Sequence, residues 1–187
     1  MIIETLFSTL NDEGRPNFAP MGAAWGEDEI TVRPFRDTTT YRNLVVASCG
    51  VANLTDDVLL FARAALEDVD PPWRPARHIR GAVLSDACLW RELEVIEESG
   101  AGARADIRCR VVWGERQRPF LGFCRARSAV IEAAILATRI HLHTREDVGA
   151  ALDRYQDIVS KTGGERERKA MVYLRDHVAR WYGDRTG

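Results

Sequence analysis

The chain has 187 residues, 45% hydrophobic and 29% charged, a balance that is typical of globular domains and excludes large-scale disorder. Its formal net charge of −2 argues against general electrostatic attraction to nucleic acid or to an anionic membrane. The four cysteines contain no CxxC pair, and the chain shows no signal-peptide pattern and no apolar run of the about 20 residues that span a membrane. A cytoplasmic protein is therefore predicted.

The first third of the chain predicts three strands joined by tight turns. An apolar run from Ile2 to Phe7 leads to the turn sequence Asn11-Asp12-Glu13-Gly14, and two further runs cover Phe18 to Trp25 and Ile30 to Phe35. Because turns this short can join only antiparallel neighbours, the three runs predict an antiparallel meander.

The hydrophobic period then changes to that of a helix. The residues at helical spacing are Tyr41, Leu44, Val45 and Ser48. We expect Asp37 or Thr38 to cap the start of this helix and Gly50 to mark its far end.

A short strand and a second short helix follow. The strand is predicted from Val51 to Thr55 and the helix from Val58 to Leu66, with Asp56-Asp57 at the positive end of the helix. The stretch from Glu67 to Arg80 holds three prolines and is predicted as loop. Nothing in the sequence decides whether this loop closes over a site.

Two long strands come next, Leu89 to Glu97 and Ala105 to Trp113. The second alternates strictly, with apolar side chains on one face and charged ones on the other. One buried and one solvated face fit a barrel or a curled sheet. The face predicted as buried holds Ala105, Ile107, Cys109, Val111 and Trp113.

After Gly122 the chain reads as helical to its end. The stretch from Ala126 to Ile140 is apolar on most sides and is predicted to be deeply buried. Thr144 and Asp147 resemble a capping box. This box opens the first of two amphipathic helices, which we expect to pack as a helical hairpin.

The segment most suited to binding chemistry runs from Arg33 to Leu44. It joins a strand to a helix start and offers three consecutive threonine hydroxyls, free backbone N–H groups and arginines. A phosphate monoester needs such donors, a favourable helix dipole and a cation. Local chemistry alone nevertheless favours the simpler interpretation, helix capping with solvated arginines, because helix starts rich in capping residues are common.

Two other segments carry polar groups in positions that need an explanation. Asn53 and Thr55 share one face of a strand, so they either bond a ligand or satisfy neighbouring loops. Asp56 and Asp57 suit helix capping better than magnesium binding. The segment from Arg118 to Arg127 combines aromatic residues, a glycine and arginines, which could wall a flat heterocycle or simply form a loop.

Six blocks of the sequence, in order, resemble the DUF447 family of archaeal and bacterial proteins of unknown function. These blocks are IIET, NFAPMG (17–22), RPFRDTTTYRNL (33–44), NLTDDVLLF (53–61), RPFLGFCRARSAVIEAAILATR (118–139) and KTGGERER (161–168). They extend over nearly the whole chain. One departure is visible, since Cys124 stands where relatives often have asparagine, which removes an amide donor and acceptor.

The resemblance implies a mainly β fold with helices: an FMN-binding split β-barrel like that of flavin reductases, followed by a C-terminal helical hairpin. We place the barrel domain at residues 1–125 and the helical region at 126–187. The resemblance also implies a homodimer with FMN in a cleft between barrels, and a partial barrel would leave open strand edges for a two-fold partner to cover. It gives no reaction, although relatives occur in organisms that use tetrahydromethanopterin-type cofactors.

With the family in view, we interpret the 33–44 segment as a phosphate site. Arg33 and Arg36 would compensate the charge, and Thr38 and Thr40 would donate hydroxyls. Asn53 and Thr55 would approach the flavin ring or ribityl chain. The remaining residues assigned to the cofactor site are Phe35, Tyr41, Asp56, Gly122 and Arg125. No metal site and no catalytic side chain are predicted.

Three functions compete at this level. The first is an FMN-dependent oxidoreductase of unknown substrate, in which the cofactor carries the hydride chemistry and no side-chain acid or base is obligatory. The second is a flavin- or pterin-binding carrier or sensor without turnover. The third is a structural interaction protein that uses the helical hairpin. A visible absorption spectrum of the purified protein separates the third from the other two.

Overall fold

The computed structural model describes residues 1–120 and 122–183. Leu121, inside one of the family-like blocks, and the last four residues of the predicted helical region lie outside the described residues. The strands are β1 (Ile2–Leu10), β2 (Pro16–Trp25), β3 (Glu29–Val32), β4 (Cys49–Leu54), β5 (Trp73–Pro75), β6 (Ala82–Leu84), β7 (Leu89–Ser99) and β8 (Asp106–Arg116). The helices are α1 (Thr39–Ala47), α2 (Val58–Ala64), α3 (Arg125–Thr138), α4 (Arg145–Thr162) and α5 (Glu165–Gly183), with a 3₁₀ turn at Ile140–Leu142.

Six antiparallel strands close into a barrel in the order β1-β2-β3-β8-β7-β4. The predicted meander is confirmed, because β1 pairs with β2 from Ile2 opposite Ala24, and β2 pairs with β3. The ring closes where β1 pairs with β4, with Leu6 opposite Asn53. The prediction of open strand edges in the barrel is wrong, since each of these six strands has a neighbour on both sides.

The barrel interior is a compact apolar core. Its fully buried side chains include Phe7, Ile30, Leu93 and Ile107. Gly50 is part of β4, and a Cβ there would lie 2.6 Å from Cε1 of Phe7, so the close approach of the ring needs a glycine. Burial raises the pKa of the Cys109 thiol to about 12, which keeps it protonated and inert near neutral pH.

The predicted alternation of β8 is correct as far as Val111, which packs against the barrel core, and fails at Trp113. Ala105, Ile107 and Cys109 face the core, but the pairing register shifts so that Leu93 lies opposite Val111 and the preceding Glu92 lies opposite Trp113. A β-bulge of this kind inserts one unpaired residue and reverses the faces beyond it. Trp113 therefore leaves the face assigned to it and contacts the ring of His78, with 4.6 Å between centroids.

Helix α1 differs from its prediction at its C-terminus and on its buried face. It ends at Ser48, which takes the left-handed conformation with φ 52° and donates its N–H to the Leu44 carbonyl, so Gly50 is not the end of the helix. The buried residues are Thr40, Asn43 and Leu44. Val45 is 50% exposed. The buried face is thus more polar than the apolar period indicated.

The proline-rich stretch is not entirely loop. Trp73–Pro75 forms β5, which pairs antiparallel with β6, Trp73 lying opposite Leu84. The hairpin packs Val83 against Val51 and Trp90 of the barrel strands. Three prolines in this stretch therefore did not prevent a short edge strand, where proline is tolerated.

Cα packing divides the chain into two compact units, residues 1–56 with 68–120, and residues 57–67 with the described chain after 121. The second unit is helical, and its core joins Val58 and Ala62 of α2 to buried side chains of α3, α4 and α5. The predicted capping of α4 is confirmed, because Thr144 Oγ1 accepts from the Asp147 N–H at 3.1 Å. The barrel with C-terminal helices confirms the predicted fold class. Within the described residues, no helix is long and apolar enough to cross a bilayer.

Candidate functional site

The junction between β3 and α1 has the geometry of a capped helix start. Thr38 has extended backbone, and its Oγ1 accepts from the Tyr41 N–H at 3.3 Å while donating to the Phe35 carbonyl at 2.7 Å. Thr38 is therefore the N-cap, as predicted. Its hydroxyl is engaged twice within the protein, which leaves one acceptor position and no donor for a ligand.

Two backbone donors at this helix start have no partner. In residues 1–120, no acceptor pairs with the N–H groups of Thr39 and Thr40, the first two of α1. The guanidinium of Arg42 donates to the Asp37 carbonyl at 2.8 Å and to Thr39 Oγ1 at 3.1 Å. Free N–H groups at the positive end of a helix beside a cation form an arrangement that binds anions.

The Arg36 guanidinium is turned towards the β7–β8 hairpin. Its Nη1 donates to Glu98 Oε1 and to the Tyr41 hydroxyl oxygen, each at 2.6 Å, and its Nη2 donates to the Gly100 carbonyl at 2.7 Å. The Tyr41 hydroxyl in turn donates to Glu98 at 2.7 Å. This network ties the start of α1 to the tip of the hairpin. A phosphate contact by Arg36 would have to share or replace these bonds.

The Arg36 network predicts a pH-dependent contribution to stability. Hydrogen bonds from Tyr41, and then from Arg36, hold the pKa of Glu98 below its ordinary value of 4.5. A lowered folded-state pKa adds stability above the ordinary pKa, and this is lost as pH falls through the lower value. We expect Glu98→Gln to unfold at a lower temperature than wild type at about pH 7, and the two midpoints to converge below about pH 4.

Circular dichroism melts between about pH 3 and pH 7 measure this difference. Glu27→Gln, at an exposed position of the β2–β3 turn, is the matched control and should show no such convergence. A Glu98→Gln midpoint that equals wild type at neutral pH would show that the network adds nothing to stability.

Arg33 and Phe35 also face the β7–β8 hairpin. Arg33 Nε lies 2.5 Å from Asp106 Oδ1, with the arginine side chain 68% exposed. The Arg104 guanidinium carbon lies 4.1 Å from the Phe35 ring centroid, a cation–π contact. The structure therefore brings Arg33, Phe35, Arg36, Thr38 and Tyr41 together at one junction, although both predicted phosphate arginines already have carboxylate partners.

A groove of about 210 Å³ opens beside the start of α1. Its lining residues are Asn11, Arg15, Pro16, Asn17, Phe18, Thr39, Asn43, Asp68 and Val69. The Asn17 amide donates to Thr40 Oγ1 at 2.9 Å, which orients this wall. Sequence reasoning did not single out Asn17 and Asn43 as site residues, although Asn17 opens the NFAPMG block. Thr40 is 3% exposed and is not among the lining residues, so its hydroxyl holds Asn17 in place from behind the groove.

The Asn53 side chain has a structural role. It is fully buried, and its amide donates to the Leu6 carbonyl at 3.0 Å and to Ser8 Oγ at 3.1 Å, while its oxygen accepts from the Leu84 N–H at 2.9 Å. Asn53 thus binds β6 to the barrel, the second of the two alternatives that the sequence left open. Thr55 is half-buried and has a partner of its own.

Asp56 and Asp57 have different roles. Asp56 pairs with the Arg118 guanidinium, which also lies 3.2 Å from Asp86 Oδ1. The hydrogen bond to Asp56 is the main reason why the pKa of Arg118 is raised. Asp57 caps α2, accepting from the Leu59 and Leu60 N–H groups at 3.1 and 3.0 Å, which confirms the capping prediction.

Gly122 and Arg125 belong to the helical unit. Gly122 has φ +103°, a conformation that side chains disfavour, so a glycine is required at this turn. Arg125 is exposed and begins α3. Within residues 1–120 and 122–183, no three His, Cys, Asp or Glu side chains converge closely enough to hold a metal ion.

Comparison with known proteins gives two family matches and several structural ones. Residues 3–118 match the model of the N-terminal domain of DUF447, a protein of unknown function, and residues 124–176 match the second DUF447 model. An FMN-bound DUF447 protein from Methanosarcina mazei is 26% identical over 94% of both chains, with a TM-score of 0.82.

Other solved structures match a smaller share of the chain. A flavoredoxin from Methanosarcina acetivorans matches with a TM-score of 0.57 and 13% identity, over 65% of this chain and 72% of its own. An FMN-binding protein from Thermus thermophilus, solved with bound 1-cyclohex-2-enone, matches with a TM-score of 0.53 and 20% identity, over 61% and 70%. At these identities the likeness concerns the fold.

Proposed function

The chain belongs to the DUF447 family, and from that premise we propose that it binds FMN, with the phosphate held at the start of α1. One observation carries the proposal: the FMN-bound relative from Methanosarcina mazei matches 94% of the chain at a TM-score of 0.82. The helix start supports it, because the Thr39 and Thr40 N–H groups lack acceptors and the Arg42 guanidinium lies beside them. These are the donors that a phosphate dianion requires.

In this proposal the residues at the junction contact different parts of FMN. The two N–H groups and Arg42 meet the phosphate, and Arg33 and Arg36 add positive potential while they hold the β7–β8 hairpin. The amides of Asn17 and Asn43 line the neighbouring groove and are suited to the hydroxyls of a ribityl chain. FMN itself supplies the capacity to accept and donate a hydride or single electrons.

Comparison of FMN with riboflavin tests the phosphate anchor. We expect FMN to bind about 100-fold more tightly than riboflavin, because riboflavin lacks the group that pairs with the helix start and Arg42. Arg42→Gln should reduce this preference about tenfold while leaving riboflavin binding unchanged. Quenching of flavin fluorescence on titration into apoprotein measures both affinities.

Two further variants sharpen the test. Arg110→Gln, whose arginine pairs with Glu94 on the barrel surface, removes the same charge and should keep the full preference. Arg36→Ala decides whether that arginine also contacts the phosphate, since unchanged FMN affinity would exclude such a contact. Equal affinity of the wild-type protein for FMN and riboflavin would overturn the anchor.

We further propose that the protein is an FMN-dependent oxidoreductase of unknown substrate. This proposal is supported by the chemistry of the cofactor, which needs no side-chain acid or base. The purified protein should be yellow, and its absorption near 450 nm, a typical flavin band, should bleach anaerobically with NAD(P)H or another biological reductant at a catalytic rate (about 1 per second or faster). A bound flavin that only exogenous dithionite reduces would favour the alternative of a carrier or sensor.

The link to tetrahydromethanopterin-type one-carbon metabolism is part of the same proposal. A reduced pterin that reduces the oxidised flavin, or an oxidised pterin that accepts electrons from the reduced flavin, would support it. If no flavin or pterin co-purifies and a protein partner does, the structural interaction role of the helical hairpin is favoured. A cytoplasmic location stays a prediction.

A homodimer is proposed as the functional assembly. The barrel unit exposes several large apolar side chains that a second copy could cover: Ile2, Phe35, Val45, Val46 and Ile96. Scattered apolar side chains are common on monomers, so their arrangement supports the proposal less than the family resemblance does. Sedimentation equilibrium at micromolar concentration should give twice the chain mass of 21.0 kDa, and a monomer would contradict the proposal.

A further inference from the structure

The β5–β6 hairpin carries a cluster of basic side chains that the flavin proposal does not use. Arg74, Arg77, His78 and Arg80 fall within seven residues of a chain whose net charge is −2. Arg80 donates to the carbonyls of Asn11 and Asp12. In the described part of the chain no carboxylate forms an ion pair with Arg74, Arg77 or His78. We call these three side chains the basic cluster.

The backbone under the basic cluster is held in place by a buried carboxylate. Glu92 is fully buried, and its two oxygens accept from the Arg77 N–H at 2.9 Å and from the His78 N–H at 2.7 Å. Both oxygens thus bond to backbone N–H groups. The positions of Arg77 and His78 are fixed before any ligand arrives, which lowers the ordering cost of binding.

Two tryptophans support the basic cluster from the barrel wall. The Arg74 guanidinium carbon lies 4.3 Å from a Trp90 ring centroid, and that of Arg77 lies 5.6 Å from Trp113. The indole N–H groups of Trp90 and Trp113 are buried and have no hydrogen-bond partner. Trp90 is 2% exposed. A buried donor without an acceptor costs about 1–3 kcal/mol. The faces of both rings lie under the two guanidiniums as cation–π partners.

Acidic side chains near the cluster do not balance it. Glu92 is used by backbone N–H groups, and Glu115, which lies opposite Trp90 in the sheet, forms no ion pair with the cluster in residues 1–120. The guanidiniums of Arg74 and Arg77 thus outnumber the one buried carboxylate of Glu92. An anion with several acceptor oxygens matches these two guanidiniums and the neighbouring imidazole of His78.

We propose that the basic cluster binds the diphosphate group of a small molecule. A diphosphate offers the required charge and enough oxygens to meet two guanidiniums and the imidazole at once. A bidentate guanidinium–phosphate pair is among the stronger polar contacts in proteins. None of the three residues of the basic cluster lines the groove beside the helix start assigned to FMN, and the proposal does not depend on flavin binding.

Calorimetric titration with inorganic pyrophosphate tests the site, both in apoprotein and in protein saturated with FMN. We expect one pyrophosphate bound per chain in both, with affinity about tenfold lower in Arg77→Gln and lower again in Arg74→Gln/Arg77→Gln. Arg77 is exposed, so the single variant should fold normally. Arg110→Gln is the matched control and should bind as wild type does. FMN affinity in Arg77→Gln should equal that of wild type.

Titration with ADP identifies the source of the diphosphate. Binding tighter than that of pyrophosphate indicates a nucleotide, and equal binding indicates that the diphosphate alone is recognised. Either result supports the site if Arg77→Gln weakens it. Three results overturn the proposal: no heat with wild type, equal affinity in wild type and Arg77→Gln, or pyrophosphate that binds only where FMN would and is displaced by it.

Discussion

Replacing Glu92 by glutamine should lower the free energy of unfolding by about 2–4 kcal/mol. The carboxylate accepts hydrogen bonds from two backbone N–H groups in a fully buried position. Glutamine has nearly the same shape, but its amide nitrogen cannot accept, so one of the two N–H groups of Arg77 and His78 would face another donor. Bonds to a charged acceptor are also stronger than those to a neutral one.

Urea unfolding followed by tryptophan fluorescence measures this loss. The matched control is Glu94→Gln, two residues further along β7, where the carboxylate pairs with Arg110 at the surface. We expect that variant to change stability by less than about 1 kcal/mol. Equal effects of the two substitutions would mean that the buried carboxylate does not anchor the hairpin.

Asn53→Leu is the second substitution with a large expected effect. It conserves volume in a fully buried position but removes an acceptor for the Leu84 N–H and donors to Leu6 and Ser8. We expect a loss of about 2–4 kcal/mol, because the buried Leu84 N–H loses its acceptor while Leu6 and Ser8 each lose a donor. Gln117→Ala removes an amide that bonds the Ser85 carbonyl at an exposed position and should cost less than about 1 kcal/mol.

A companion variant separates hydrogen bonding from packing. Asn53→Asp keeps an acceptor for Leu84 but places a carboxylate against the Leu6 carbonyl, so we expect at least as large a loss as in Asn53→Leu. Hydrogen exchange should show the β5–β6 hairpin opening first in both variants. Wild-type protection of Leu84 in Asn53→Leu would disprove the role of Asn53 in docking β6.

The sequence predicted the β1–β2–β3 meander well because its signals are local. Turn residues and alternating apolar runs report on a few neighbouring residues, and the caps at Thr38, Asp57 and Thr144 depend only on the first turn of a helix. The pairing register between two strands, by contrast, does not depend on neighbouring residues alone. The bulge that turns Trp113 to the outer face arises from pairing between β7 and β8, and strict alternation in β8 alone gives no sign of it.

Local sequence patterns could not predict barrel closure either, because closure depends on the pairing of β1 with β4 across 40 residues or more. Strand β5 was not predicted because three prolines within five residues argue against a strand, and the edge position that makes proline tolerable is known only from the folded chain.

The candidate site could be located from the sequence, but the role of each side chain in it could not be predicted. Three threonines and two arginines between a strand and a helix mark the junction correctly as a dense polar region. What each side chain does depends on partners far along the chain, such as Glu98 for Arg36 and Asp106 for Arg33. Arg42 lay inside the same segment, yet only the folded helix brings it to the unpaired N–H groups. Which side chains pair with one another is therefore decided by the tertiary structure.

The interrupted helical unit has a consequence for biosynthesis. During translation, α2 leaves the ribosome more than 60 residues before α3 begins, and the core that covers Val58 and Ala62 includes residues of α3, α4 and α5. The nascent barrel must therefore carry an uncovered apolar helix until the last third of the chain emerges. The same connectivity means that no single cleavage point yields two intact units. A stop codon between α2 and α3 leaves α2 with its apolar face uncovered, a target for chaperones and proteases.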